Sequence, residues 1–134
     1  MLDTNVLISA LLFPNGRITT IVNCIFGRFR LVLSSYVINE LKEVIQRKFP
    51  SKITDIEIAL SNMSFEYVYT PSEIDTSIFS IRDIKDYPVL YTAIISNVDI
   101  LITGDKDFLD VDVDSPVIMT PGEFFEKFCC DHSS

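Results

Sequence analysis

No apolar run in the sequence approaches the roughly 20 residues that a membrane-spanning helix needs. No basic segment followed by an apolar one opens the chain, so neither a membrane anchor nor a secretory leader is expected. Cysteine is scarce: three residues, with Cys129 and Cys130 adjacent, are too few for a disulfide framework. Histidine occurs once, at His132, and no Cys/His pair stands at the spacing of a structural zinc site. Repeats, low-complexity tracts and linkers are missing. What these absences leave is a cytoplasmic protein with one domain, residues 1–128, and a flexible tail, residues 129–134.

Within 134 residues, 48% are apolar and 22% charged, a balance that suits a packed globule rather than a disordered chain. The net charge of −8 argues at first against a nucleic-acid partner. Its distribution changes that. Residues 1–70 hold seven basic and six acidic side chains, whereas residues 71–134 hold four and thirteen. The seven basic residues of the first half all lie between positions 17 and 52. A phosphate-binding band beside an acidic, cation-holding cluster has this layout, as does a soluble acidic protein with solvated charges.

The apolar pattern alternates between short strands and helices. A strand end at residues 1–3 leads into a helix through Val6-Leu7-Ile8 and Leu11-Leu12, and Pro14-Asn15-Gly16 reads as a turn. Ile18, Ile21, Val22, Ile25 and Phe26 keep helical spacing, with Gly27 as a stop. Strands are expected at residues 30–34, 65–70, 99–103 and 116–119, and helices at 36–48, 51–63 and after Asp86. Residues 71–84 carry no readable pattern. Thr120-Pro121-Gly122-Glu123 is a capping box that opens a last helix ending near Phe128. Apolar strands alternating with helices imply an α/β fold with a mostly parallel sheet, whose ligands sit beyond the carboxyl ends of the strands.

Acids fall at that edge. Asp3 ends the first strand, and Asp105 and Asp107 follow the strand at 99–103, after Gly104, which would permit a sharp turn. Glu40 lies at the margin of the apolar face made by Val37, Ile38, Leu41, Val44 and Ile45, where a carboxylate needs compensation; Glu43 faces solvent. Asp86 opens a helix with Pro88 in its first turn. Asp83 stands three residues earlier, so one of the two can cap while the other points elsewhere. Taken singly, each acid has a plainer reading, as a turn, a cap or half of an ion pair. Taken together, four carboxylates from separate elements match what a hard divalent cation requires.

The segments Asp3-Thr4-Asn5-Val6-Leu7-Ile8-Ser9-Ala10, Glu40-Leu41, Arg82-Asp83-Ile84-Lys85-Asp86 and Thr103-Gly104-Asp105-Lys106-Asp107-Phe108 together resemble the PIN domain, over residues 2–125. The resemblance implies a three-layer sandwich around a mostly parallel sheet of about five strands. It implies Mg²⁺- or Mn²⁺-dependent ribonuclease activity, often in the toxin half of a prokaryotic toxin–antitoxin pair, so RNA and a small antitoxin are the expected partners and a homodimer the expected assembly. By position, Asp3, Glu40, Asp86 and Asp105 are the metal-holding and catalytic quartet, with Asp107 and Asp83 auxiliary, while Asn5 and Thr103 match polar positions that orient ligands or water. Lys85 and Lys106 flank the acids and, with Arg17, Arg47 and Lys48, are the candidates for contacts to the RNA backbone. One departure stands out: the family has several apolar residues before its first Asp, and here only Met1 and Leu2 precede it. Either the recorded start falls late or the strand is unusually short, with ladder groups left unpaired.

Two other functions share this composition. A catalytically silent PIN-like scaffold differs only in turnover. A Mg²⁺-binding receiver-type signalling domain would want an acceptor Asp on its middle strand, and residues 65–70, FEYVYT, contain none.

Overall fold

Local chemistry sets most of the element boundaries. The Asp3 side chain accepts a hydrogen bond from the Val6 amide and so starts helix α1 (Thr4–Leu12). The turn at Pro14-Asn15-Gly16 separates it from α2 (Arg17–Arg28), which runs one residue past Gly27 and buries Ile21, Val22 and Ile25. Strand β1 (Val32–Ser34) passes directly into α3 (Ser35–Lys48), because the Ser34 hydroxyl accepts from the Val37 amide at 3.2 Å. A 3₁₀ turn, Pro50–Lys52, leads to α4 (Ile53–Asn62), and β2 (Glu66–Val68) follows. After a further 3₁₀ turn, Ile84–Asp86, come α5 (Tyr87–Ile95) and β3 (Ile100–Ile102). The 3₁₀ turn Lys106–Phe108 and β4 (Val117–Met119) precede α6 (Pro121–Phe124), opened by the Thr120/Glu123 capping box. A π-helical turn, Phe125–Cys129, completes what the computed structural model describes, residues 1–129. Of the tail assigned to residues 129–134, residues 130–134, with Cys130 and His132, lie outside the described residues.

The segment without a sequence pattern forms neither helix nor strand over residues 69–83. It is nevertheless tied down. The Tyr87 hydroxyl donates to the Asp75 carbonyl at 2.7 Å and accepts from the Ile78 amide at 3.2 Å, and Phe79 stacks on the Tyr87 ring at 4.0 Å between centroids. Side-chain anchoring of this kind leaves no periodicity to read.

Strand pairing is parallel throughout, as expected, but the continuous sheet of about five strands is not seen. The described strands form two separate two-stranded sheets, β1 with β2 and β3 with β4. Residues 1–3 run alongside β3: the Ile102 amide donates to the Met1 carbonyl at 2.9 Å and the Asp3 amide donates to the Ile102 carbonyl at 3.1 Å. The short first strand therefore does satisfy its groups, on the β3 side. On the other side, among the described residues, no ladder joins it to β1. A cavity of about 390 Å³ lies between the two sheets instead, lined by Met1, Leu31, Val32, Ile100 and the rings of Phe29 and Phe124. Leu2, Leu7, Leu33, Leu41, Leu90, Leu101, Ile102 and Phe108 are fully buried and form the centre of the core, each such side chain contributing roughly 1.5–3 kcal/mol by leaving water.

Cysteine usage needs one correction. Cys24 of α2 and Cys129 form a disulfide, 105 residues apart in sequence, so Cys129 belongs to the last helical turn rather than to a tail. The reason is packing: Phe29 meets Phe124 and Phe128 edge-to-face, and this aromatic cluster brings the last turn against α2. Among the described residues, no single helix is long and apolar enough to cross a membrane.

Candidate metal centre

Residues 1–3 and β3 are parallel neighbours, so the residues that follow them leave the sheet at the same edge. Asp3 emerges after Leu2, and Thr103, Gly104 and Asp105 emerge after β3. Asp3 is 5% exposed. Its two oxygens are both engaged, Oδ1 by the Val6 amide at 3.0 Å and Oδ2 by the Thr103 hydroxyl. The same Thr103 oxygen accepts from the Asp105 amide at 3.1 Å, and Asp105 Oδ1 accepts from the Asp107 amide at 2.9 Å. One threonine thus fixes the relative placement of two acids. Gly104 is not the reason for the turn: its φ is not positive, and a Cβ there would meet nothing within 4 Å.

Glu40 comes from α3, half-buried at the margin of that helix's apolar face, while Glu43 is exposed. Its compensation is neither Lys nor Arg. The Thr4 hydroxyl, buried at the first position of α1, donates to Glu40 Oε1. Asp3 and Thr4 are consecutive, so one peptide brings Glu40 to the Asp3 end of the site.

Asp83 and Asp86 divide their roles as their spacing suggested. The Lys85 amide donates to Asp83 Oδ1 at 3.0 Å, so Asp83 caps the 3₁₀ turn. Asp86 precedes α5 but makes no side-chain capping bond. Its Oδ2 is buried and has no hydrogen-bond partner among the described residues. Carboxylate oxygens of Asp83, Asp86 and Asp107 all lie within 4.8 Å of one another.

The electrostatics record the crowding. Asp86 is pushed up to about 7, first by burial, then by a hydrogen bond and charge repulsion from Asp105, then by Asp83 and Asp107. Asp3 is raised as well, again mainly by burial; Thr103 and the Val6 amide oppose that shift, while Asp105 and Glu40 add to it. The phenol of Tyr36, which donates to the Lys85 carbonyl at 3.0 Å, is raised by burial and then by Glu40, Asp86, Asp83 and Glu43. Asp105 and Glu40 thus act on Asp3, and Asp105, Asp83 and Asp107 on Asp86, while among the described residues the carboxylates that meet at metal-binding separation are Asp83, Asp86 and Asp107 rather than the expected four.

This donor set fits a hard divalent cation. It consists of carboxylate oxygens, contains no His or Cys, and holds an orphaned buried oxygen at Asp86, a group that costs free energy unless something positive faces it. Asn5, expected to orient a ligand, is exposed and makes no side-chain hydrogen bond among the described residues. Of the expected RNA contacts, Lys85 and Lys106 sit in the turns that carry the acids, whereas Arg47 and Lys48 lie in the last turn of α3, two helical turns beyond Glu40, and Arg17 opens α2. Arg28 and Arg30 precede β1 and so lie at the opposite edge of its sheet, Arg30 paired with Glu66 at 3.4 Å.

Three residues escaped the sequence reading. Thr4 and Tyr36 carried a usable signal, since each stands within one helical turn of an expected ligand. Arg82 is the third: its Nε lies 3.6 Å from Asp107 Oδ1 and its Nη2 lies 3.8 Å from Asp110 Oδ2.

Comparison with known proteins identifies the family and the fold. No curated protein matches the sequence. The fold is similar to a chain in the crystal structure of VapBC2 from Rickettsia felis bound to a DNA fragment from their promoter, with a TM-score of 0.69 and 19% identity, covering 90% of this chain and 96% of that one. At that identity the likeness is one of fold. The family model described as the PIN domain matches residues 1–107, the stretch that carries Asp3, Glu40, Asp86 and Asp105, and this chain belongs to the PIN domain family.

Proposed function

We propose that this protein is a metal-dependent ribonuclease that hydrolyses RNA phosphodiester bonds, with Asp3, Glu40, Asp86 and Asp105 holding Mg²⁺ or Mn²⁺ and Asp83 and Asp107 supporting them. The observation that carries the reading is the buried, unpartnered Oδ2 of Asp86 among three other aspartates. A fold retains such an arrangement at a cost in stability, and that cost is offset when a cation binds. When bound, the ion supplies Lewis-acid stabilisation of the charge that develops on the attacked phosphate.

The chain's own residues do the positioning. Thr103 locks the Asp3 carboxylate and the Asp105 backbone into one frame, and Thr4 turns Glu40 toward them. Burial of Asp3 excludes water from the inner side of the site, leaving the outer side, toward Asp83 and Asp107, open to a polyanion. Lys85 and Lys106 project from the two flanking turns as point charges for phosphate and do not read sequence.

The partner we propose is a small antitoxin with a basic segment, because a guanidinium among these carboxylates gains bidentate bonds and competes with the metal. Its support is the family resemblance together with the thirteen acids against four bases in residues 71–134. End-mapping of RNA products tests the nuclease reading. Cleavage in Mn²⁺ that leaves 5′-phosphate and 3′-hydroxyl ends, stops in EDTA and is lost in Asp3→Asn is expected. Cleavage that persists in EDTA or in the variant excludes the assignment.

A further inference from the structure

Among the described residues, the acids of the site have one cation within ion-pair distance, and it is Arg82. Its guanidinium reaches Asp107 at 3.6 Å and Asp110 at 3.8 Å. Asp107 in turn shares the cluster with Asp83 and Asp86. The Arg82 side chain is 74% exposed, and long, exposed ion pairs of this kind are weak and easily exchanged. Lys85 and Lys106 make no such contact with the cluster, so metal uptake takes no partner from them.

A divalent cation drawn into the cluster cancels the charge of Asp107 and repels the guanidinium, which leaves Arg82 only its 3.8 Å pair with the exposed Asp110, a weak contact. Arg82 then stands at the rim of a site facing a phosphodiester, whose oxygens match the guanidinium fork. We propose that Arg82 is a substrate-phosphate contact of this site, and that it exchanges Asp107 for the RNA backbone when the metal binds. The inference rests on the ribonuclease reading and makes metal and RNA binding cooperative through one side chain. Before the metal arrives, Arg82 stands in for it. Afterwards it is the group that rewards substrate binding.

Removal of Arg82 consequently has opposite effects on the two ligands, which a merely structural ion pair does not. The experiment uses the full chain, with Mn²⁺ alone titrated by calorimetry and steady-state cleavage of a single-stranded RNA oligonucleotide. Arg82→Ala is expected to tighten Mn²⁺ by a factor of about 2–10 and to raise KM for RNA about tenfold with little change in kcat. Arg82→Lys, which keeps the charge but not the fork, should recover part of the KM effect. Weaker Mn²⁺ binding in Arg82→Ala, or an unchanged KM, overturns the exchange. A wild-type protein that binds no Mn²⁺ overturns the ribonuclease reading itself, and that result is read before any variant is made.

Discussion

The Thr103 hydroxyl donates to the Asp3 carboxylate across 100 residues of chain, and the same oxygen receives the Asp105 amide. Parallel pairing of residues 1–3 with β3 brings the two side chains within reach, because the residue after each strand leaves at the same edge. The placement of Asp3 against Thr103 and Asp105 thus follows from strand register more than from loop conformation. The Thr103 side chain adds to the backbone bonds between Met1, Asp3 and Ile102 that join the two ends.

Thr103→Val tests that frame. Valine keeps the shape but strips Asp3 of a donor and leaves the Asp105 amide without its acceptor, in a residue that is 1% exposed. We expect a loss of about 1.5–3 kcal/mol in urea unfolding and Mn²⁺ affinity weaker by roughly 10–100-fold. Unchanged Mn²⁺ affinity in a folded variant would show that the threonine does not organise the acids.

The crowded acids of the metal-free protein should contribute less stability as pH rises. Asp86 has a folded pKa raised to about 7, above its ordinary carboxylate value, so between the two the native state binds more protons than the unfolded chain. The contribution of Asp86 to stability in EDTA therefore falls from about pH 4 to about pH 7, the raised carboxyl of Asp3 adds to that trend, and the Met1 amine, held down to about 5 by burial, opposes it. Melting temperatures across that range should fall more, or rise less, with pH in the wild type than in Asp86→Asn, which keeps the Met1 amine and loses the raised carboxyl. A wild type and an Asp86→Asn variant with the same pH dependence contradict the crowding of these acids.

Reduction is a third lever. The Cys24–Cys129 disulfide closes nearly the whole chain into one loop, which restricts the unfolded ensemble strongly. Dithiothreitol should lower stability by about 2–4 kcal/mol, and Cys24→Ser should behave like the reduced protein whether or not reductant is present. Three free thiols in the untreated native protein would remove the cross-link from the account.

Much of this was legible in the sequence, and the reasons differ by element. Helix α3, read from its apolar stripe, and α6, read from its Thr120 capping box, were readable because both signals are local, whereas the Ser34 cap was not picked out. The half-buried position of Glu40 followed from helical spacing alone. Sheet assembly was not readable to the same degree: strands of three residues carry too few side chains to specify which neighbours they pair with, and two sheets with a cavity between them stand where one was expected. The Tyr87 anchor of residues 69–83, the Thr4–Glu40 bond and the Cys24–Cys129 link all join residues far apart in sequence, which no window of neighbouring positions contains. Arg82 was passed over for a simpler reason. Among several charged neighbours, only distance separates the one that reaches the cluster.

Soaking crystals in Mn²⁺ and locating the metal by its anomalous signal tests the central claim most directly. A peak about 2.0–2.6 Å from the buried oxygen of Asp86, shared with Asp105 or its neighbours at the strand ends, is the result predicted here. An acidic cluster that stays free of metal at saturating Mn²⁺, or a peak that forms away from Asp3, Asp86 and Asp105, would contradict it.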